Sequence, residues 1–187
     1  MQILYDEVWH HWLAIASVSI GKDEPVVNVY DSMFHTASSH VKKQIACIAN
    51  SAYPRIKINF MDVTCRNGSD DCGLFSIAYA TCICRGKKPE QYVFDQGLMR
   101  NHLIKCLKNS LLEEFPVRKE KRNSDKVINR DAVIVHCVCR MPKTKDEEMI
   151  GCSSCSEVFH KNLCVEVAAT CTSQLLEDKW ICNNCSL

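Results

Sequence analysis

Nothing in the 187 residues stays apolar for the roughly 18 consecutive positions that a bilayer-spanning helix requires. The N-terminus, Met1 to Glu7, also lacks the basic start and apolar block of a secretion signal. These absences set the expectation of an intracellular chain that is not secreted and has no membrane partner. A one-sided charge is missing too: 23 basic against 22 acidic residues leave a formal net charge of +1. There is therefore no global electrostatic case, and no direct evidence, for a nucleic-acid partner. No internal repeat is visible.

What the sequence has in excess is cysteine, fourteen in all. In a chain without a signal for export, clustered cysteines are expected to bind metal or do chemistry rather than pair as disulfides. Eight of them lie between Cys137 and Cys185, while Cys47, Cys65, Cys72, Cys82, Cys84 and Cys106 are scattered through an apolar, periodic first part. Composition changes near residue 116, where Arg118, Lys119, Lys121, Arg122, Lys126 and Arg130 face only Glu120 and Asp125. The expected division is a first domain over 1–115, a solvated basic linker over 116–132 and a small domain over 133–187.

Within the first part, Trp12 to Val18 and Val26 to Tyr30 read as strands joined by a turn through Gly21 to Pro25, and Arg55 to Phe60 as a third strand. Ser38 to Ala49 sets Val41, Ile45 and Ile48 at helical spacing, and Cys72 to Cys84 is an apolar run too long for a strand. A third helix is expected over about Asp95 to Glu113, with Leu98, Leu103, Ile104, Leu107 and Leu111 on its apolar side and Pro116 as its stop. The fold class is α+β.

The C-terminal cysteines come in ordered pairs with one histidine: Cys137 and Cys139, Cys152 and Cys155, His160 and Cys164, Cys182 and Cys185. Two tetrahedral zinc ions use all eight ligands with none missing, and with no open position such zinc is structural. A segment with so small an apolar core needs the folding free energy that metal binding supplies. The order of ligands, the segment Met149-Ile150-Gly151-Cys152, Phe159 before His160 and Trp180 before Cys182 resemble the PHD finger. That resemblance implies a cross-brace, with Cys137, Cys139, His160 and Cys164 on one ion and Cys152, Cys155, Cys182 and Cys185 on the other. Cys171 is left as a free thiol, and three residues rather than two separate His160 from Cys164. PHD fingers often read histone tails, some through an aromatic cage around methyl-lysine. The cage positions here are His136, Lys143, Met149 and Val158, and Lys143 would repel a cation. Asp146, Glu147 and Glu148 favour an unmodified basic histone tail instead, or are simply a solvated face.

In the first part, His11 opens a strand, Asp31 closes the next and Cys72 opens a helix. They supply a base, its orienting carboxylate and a thiol whose ionised form a helix N-terminus favours. The phrases Trp9-His10-His11-Trp12, Val29-Tyr30-Asp31-Ser32 and Gly68-Ser69-Asp70-Asp71-Cys72-Gly73, with Phe94-Asp95-Gln96 beyond them, resemble the SUMO and ubiquitin-like-protein cysteine peptidases, especially transposon-derived ones. The resemblance implies a papain-like fold lacking the family's N-terminal portion. In it Cys72 attacks the carbonyl of a Gly-Gly tail, His11 shuttles the proton and Asp31 holds the ring, while Trp12 and Gly73 shape the substrate channel. The family's oxyanion glutamine is replaced here by Arg66, and the loss of one such donor costs about a hundred- to a thousand-fold in rate.

Two functions follow as expectations. One is a cysteine peptidase acting on a ubiquitin-like protein or its conjugate, with the finger for recruitment. The other is an inactive binding module in which both parts serve as docking surfaces. The finger's resemblance and the Arg118 to Arg122 cluster point to the nucleus, with the cytoplasm as the other address.

Overall fold

The computed structural model describes residues 1–19, 24–50, 52–121, 124–161, 164 and 180–185. Cys171 lies outside the described residues. Five strands form the main sheet: β1 (Gln2–Asp6), β2 (His11–Ser19), β3 (Val26–Tyr30), β4 (Arg55–Met61) and β7 (Val127–Ile134), in the order β1-β2-β3-β4-β7. All neighbours are antiparallel except β3 and β4, whose parallel pairing requires the crossover helix α1 (Ser39–Ala49). β1 escaped the sequence reading, because only its alternate residues Leu4 and Asp6 turn fully inward.

The sheet is covered on both faces, which explains why β2 is apolar at successive positions. Leu13 and Ile15 join Val27, Val29, Ile56, Ile58 and Phe60 under α1, which contributes Val41 and Ile45. On the other face Ala14 and Ala16 are small enough for α2 (Cys72–Cys84) to approach with Phe75 and Tyr79. α2 has no polar stripe because both its sides meet protein. α1 starts where Ser38 Oγ accepts from Val41 N at 3.1 Å, and ends at Asn50 in the left-handed region (φ 37°). The same Ser38 hydroxyl donates to the buried Asp6 at 2.8 Å, tying the helix start to β1.

α3 (Gln96–Lys108) departs from expectation in length and in face. It ends at Asn109, and Ser110 takes a left-handed φ of 50°, well before Pro116. Its inward seam is Met99, Leu103 and Cys106, with Met99 and Cys106 buried, whereas Leu98 is 55% and Leu107 71% exposed and Ile104 is exposed as well. A seam at spacing four then three satisfies helical geometry as well as the leucine set does, and packing against Phe94, Phe115 and α2 selects it.

The expected linker is likewise built differently. β5 (Tyr92–Phe94) pairs with β6 (Val117–Lys121), and β7 completes the sheet, in register from Arg55 opposite Ile134 to Phe60 opposite Asn129, with a one-residue shift before Met61 opposite Val127. Among the described side chains of this stretch Arg118, Lys126 and Arg130 are exposed, and Lys42 of α1 meets Asp131 of β7 at 2.8 Å. The finger follows with β8 (Met149–Gly151) antiparallel to β9 (Val158–His160). Among the described residues no helix is long and apolar enough to cross a membrane.

Candidate functional site

β7 leads into Cys137 with only Val135 and His136 between. Val135 N donates to Pro54 O at 2.9 Å, and His136 N donates to Met141 O at 3.1 Å. A tight turn with Cys137 and Arg140 at positive φ then brings Cys139 round toward the end of β9, where His160 sits buried. Cys137, Cys139, His160 and Cys164 gather with their ligand atoms within 4.8 Å of one another, and Cys152, Cys155, Cys182 and Cys185 do the same. Tetrahedral zinc, with Zn–S about 2.3 Å and Zn–N about 2.0 Å, sets two sulfurs about 3.8 Å apart and a sulfur and a nitrogen about 3.5 Å apart. Cys155 Sγ to Cys182 Sγ is 3.8 Å and Cys139 Sγ to His160 Nδ1 is 3.3 Å.

The electrostatics also call for a cation. Backbone N–H groups of Cys182 and Cys155 hold the Cys152 thiol down to about 6. Burial opposes ionisation of Cys137, yet the amides of Cys139 and His160 bring it to about 7. In each set a second thiol is pushed the other way: burial and the neighbouring sulfurs raise Cys164 and Cys182 to about 12. Each cluster thus favours one thiolate and resists the next, and a divalent ion removes that resistance. Phe159 and Trp180 pack at 4.9 Å with their rings 66° apart, adding an apolar contact beside the sulfurs.

His160 presents Nδ1 to Cys139, so its Nε2 is left for Glu147, 3.6 Å away. Glu147 accepts from Thr144 N at 2.9 Å and from Lys43 Nζ of α1 at 3.4 Å. Contacts with Thr144, then Lys43, hold its carboxyl down at about 2. Sequence reading grouped Glu147 with Asp146 and Glu148 as one acidic run. In the fold it is turned inward, while Asp146 is exposed and Glu148 pairs with Lys161 at 3.0 Å.

The second constellation lies where β2, β3 and α2 meet. His11 Nε2 and Asp31 Oδ1 are 2.7 Å apart, both buried, and Asp31 Oδ1 also accepts from Met33 N (2.8 Å) and Phe34 N (2.9 Å). His11 Nδ1 is buried with no hydrogen-bond partner, and the Phe34 ring stands edge-on to the imidazole at 5.2 Å. Cys72 is the first residue of α2 and is buried. The next residue, Gly73, brings the helix against Trp12: a Cβ there would sit 3.7 Å from Trp12 Cδ1. Trp12 itself is 42% exposed.

Two residues of α3 that sequence reasoning gave no role fix this corner. Arg100 Nη2 donates to Asp71 Oδ1 at 2.6 Å, and Gln96 Nε2 donates to Asp71 Oδ2 and to Asn67 O at 2.8 Å each. Arg66 is tied down in the same loop: its Nη1 donates to Ser69 O, its Nη2 lies 2.9 Å from Met33 Sδ, and its Nε is buried without a partner. Both of its terminal nitrogens thus have partners within the protein.

Residues 137–185 match the sequence profile of the PHD-finger family, and they form a PHD finger with zinc as its structural metal. The chain is 31% identical over 74 residues to the chromatin remodeling protein SHL of Arabidopsis thaliana, covering 40% of this chain and 31% of that protein. It is 30% identical over 80 residues to the chromatin remodeling protein EBS of the same plant, covering 43% of this chain and 33% of that protein. The chain spans about a third of the length of these relatives. No solved structure matches it. Neither the profile nor the two relatives carries a peptidase assignment for the first part, whose described fold is a mixed α+β sheet.

Proposed function

We propose that the protein is a nuclear docking module that engages chromatin through its PHD finger, taking up an unmodified basic histone tail as a strand added to β8. The carrying observation is the two-stranded finger sheet, in which β8 pairs with β9 on one side only and keeps its other edge unpaired among the described residues. The absence of cage aromatics at His136, Lys143, Met149 and Val158 and the exposed Asp146 support an unmodified, positively charged tail. The similarity to two chromatin remodeling proteins supports the same setting. Calorimetric titration with a histone H3 N-terminal peptide, unmodified or trimethylated on lysine, tests this reading. The unmodified peptide is expected to bind at least as tightly; a preference of tenfold or more for the methylated form, or no binding of either, would overturn it.

A second reading rests on His11, whose Nε2 is locked to Asp31 while Nδ1 is buried and unpartnered. An imidazole in that state is prepared to take a proton from a thiol, and Cys72 at the start of α2 supplies one. This reading makes the first part a papain-like cysteine peptidase fold of the SUMO and ubiquitin-like class. Because β7 completes its sheet, the domain would run to about Ile134 rather than stop at residue 115, with Trp12 and Gly73 lining the channel for a Gly-Gly tail. Cys72 would form a thioester that water then hydrolyses. With Arg66 engaged elsewhere, turnover would be slow and would depend on other oxyanion donors. Ubiquitin-like proteins carrying a C-terminal electrophile are expected to label Cys72 in a His11-dependent manner. A folded protein that no such probe labels leaves the docking reading alone.

A further inference from the structure

Outside both zinc sets and the His11 corner, one more group of metal-ligating side chains comes together among the described residues. His102 and Cys106 stand four residues apart on one side of α3, with His102 Nε2 3.4 Å from Cys106 Sγ. The turn after the helix folds the chain back through Ser110, and Leu111 N donates to Cys106 O at 3.0 Å. That turn delivers Glu113, whose N–H points to Cys106 Sγ at 3.5 Å and whose carboxylate reaches the same spot. The three ligand atoms lie within 4.8 Å of one another. The His102 ring is steadied by Phe115 at 5.1 Å, and Phe115 and Cys106 are both buried.

We propose that His102, Cys106 and Glu113 form a third metal site, for zinc or a similar borderline divalent ion, with one coordination position left to water or an external ligand. Three observations converge on it. The sulfur–nitrogen separation of 3.4 Å matches the roughly 3.5 Å that tetrahedral zinc imposes, and it nearly equals the 3.3 Å between Cys139 and His160 in the finger. The donor set of one thiolate, one imidazole and one carboxylate selects zinc-like ions over calcium or magnesium, which take oxygen ligands. And the third ligand is nearly free to bind: Glu113 is otherwise engaged by Lys105 at 3.7 Å across an exposed surface, a weak pair that a doubly charged ion displaces. With three protein ligands rather than four, this ion would be held less tightly than the finger's pair and would exchange its fourth ligand. Bound, it would staple the end of α3 to the turn that leads into β6.

Cobalt(II) titration of the metal-free full chain, followed by the thiolate-to-cobalt and d–d absorption bands, tests the site. Three equivalents are expected to bind, the third at least tenfold more weakly than the first two. His102→Ala and Cys106→Ser should each reduce the count to two while leaving the finger's bands unchanged. Glu113→Ala, a surface substitution that leaves the core intact, should weaken the third equivalent at least tenfold, so the result does not depend on the folding of the Cys106 variant. Two equivalents in the unaltered chain, or a third that persists in the His102 and Glu113 variants, would overturn the proposal.

Discussion

Ending the chain at residue 124 instead of residue 136 removes β7, which pairs along the whole of β4. The two chains differ chiefly in Val133 and Val135, 1% and 3% exposed in the core under α1. Burying a valine side chain fully stabilises by about 1.5–3 kcal/mol, so the pair accounts for about 3–6 kcal/mol of the 5–15 kcal/mol typical of a domain. Ile56 and Ile58 of β4, now on an edge strand, lose cover in addition. A urea m-value of about 2 kcal/mol/M converts this to a midpoint lower by about 1.5–3 M. By contrast, ending at residue 136 forfeits, among the contacts of the described residues, surface links such as the Arg140 to Ala52 hydrogen bond and the Lys43–Glu147 pair, with the His136–Met141 bridge and packing of Met141. The assay is equilibrium unfolding followed by the fluorescence of Trp9 and Trp12, which both shortened chains retain. Midpoints within about 0.5 M of each other would refute the reasoning and make β7 an appendage of the finger.

Three further outcomes follow from the structure. Cys152→Ala removes the most readily ionised thiol of its set and should empty the finger of tightly held zinc and expose Trp180, read by metal analysis and by a red-shifted tryptophan emission. Glu147→Gln leaves all eight ligands in place yet should weaken zinc at the His160 site about tenfold in competition with a chelating dye, whereas Glu148→Gln, which alters only the surface pair with Lys161, should not. Burial pushes the Cys82 thiol up to about 11 from its ordinary 9. Between those values the unfolded chain has lost a proton that the folded chain keeps, so stability present below pH 9 should fall as pH rises toward 11; Cys82→Ala should flatten the fall in urea midpoints measured across that range.

What could be read without the fold was what depends on near neighbours in the chain. The start of α1 at Ser38 and the length of α2 follow from a cap and an apolar run. The paired spacing of cysteines and the lone His160 pointed to zinc because each ligand pair sits within a few residues. β7 was obscured because its pairing partner is about seventy positions away and its polar residues, Asn129, Arg130 and Asp131, dominate its composition. The face of α3 was misjudged for a similar reason: leucines are stronger signals than Met99 or Cys106, and only the packing of Phe94 and Phe115 decides between the two stripes. Glu147 looked like one member of an acidic run until Lys43, a hundred residues earlier, drew it inward. Glu113 reaches Cys106 only through a left-handed turn at Ser110, which no periodicity announces.

The short passage from Ile134 to Cys137 makes the protein a caliper rather than a tether. Two binding surfaces on a flexible linker meet their targets at an effective concentration averaged over many separations. Here the last strand of one sheet runs into the first ligand of the finger, and Arg140 and Glu147 pin the finger back onto the first part, so the separation between the free edge of β8 and His11 is set by the fold. A target whose two features match that span would gain the full avidity of both contacts, and one that does not would gain none.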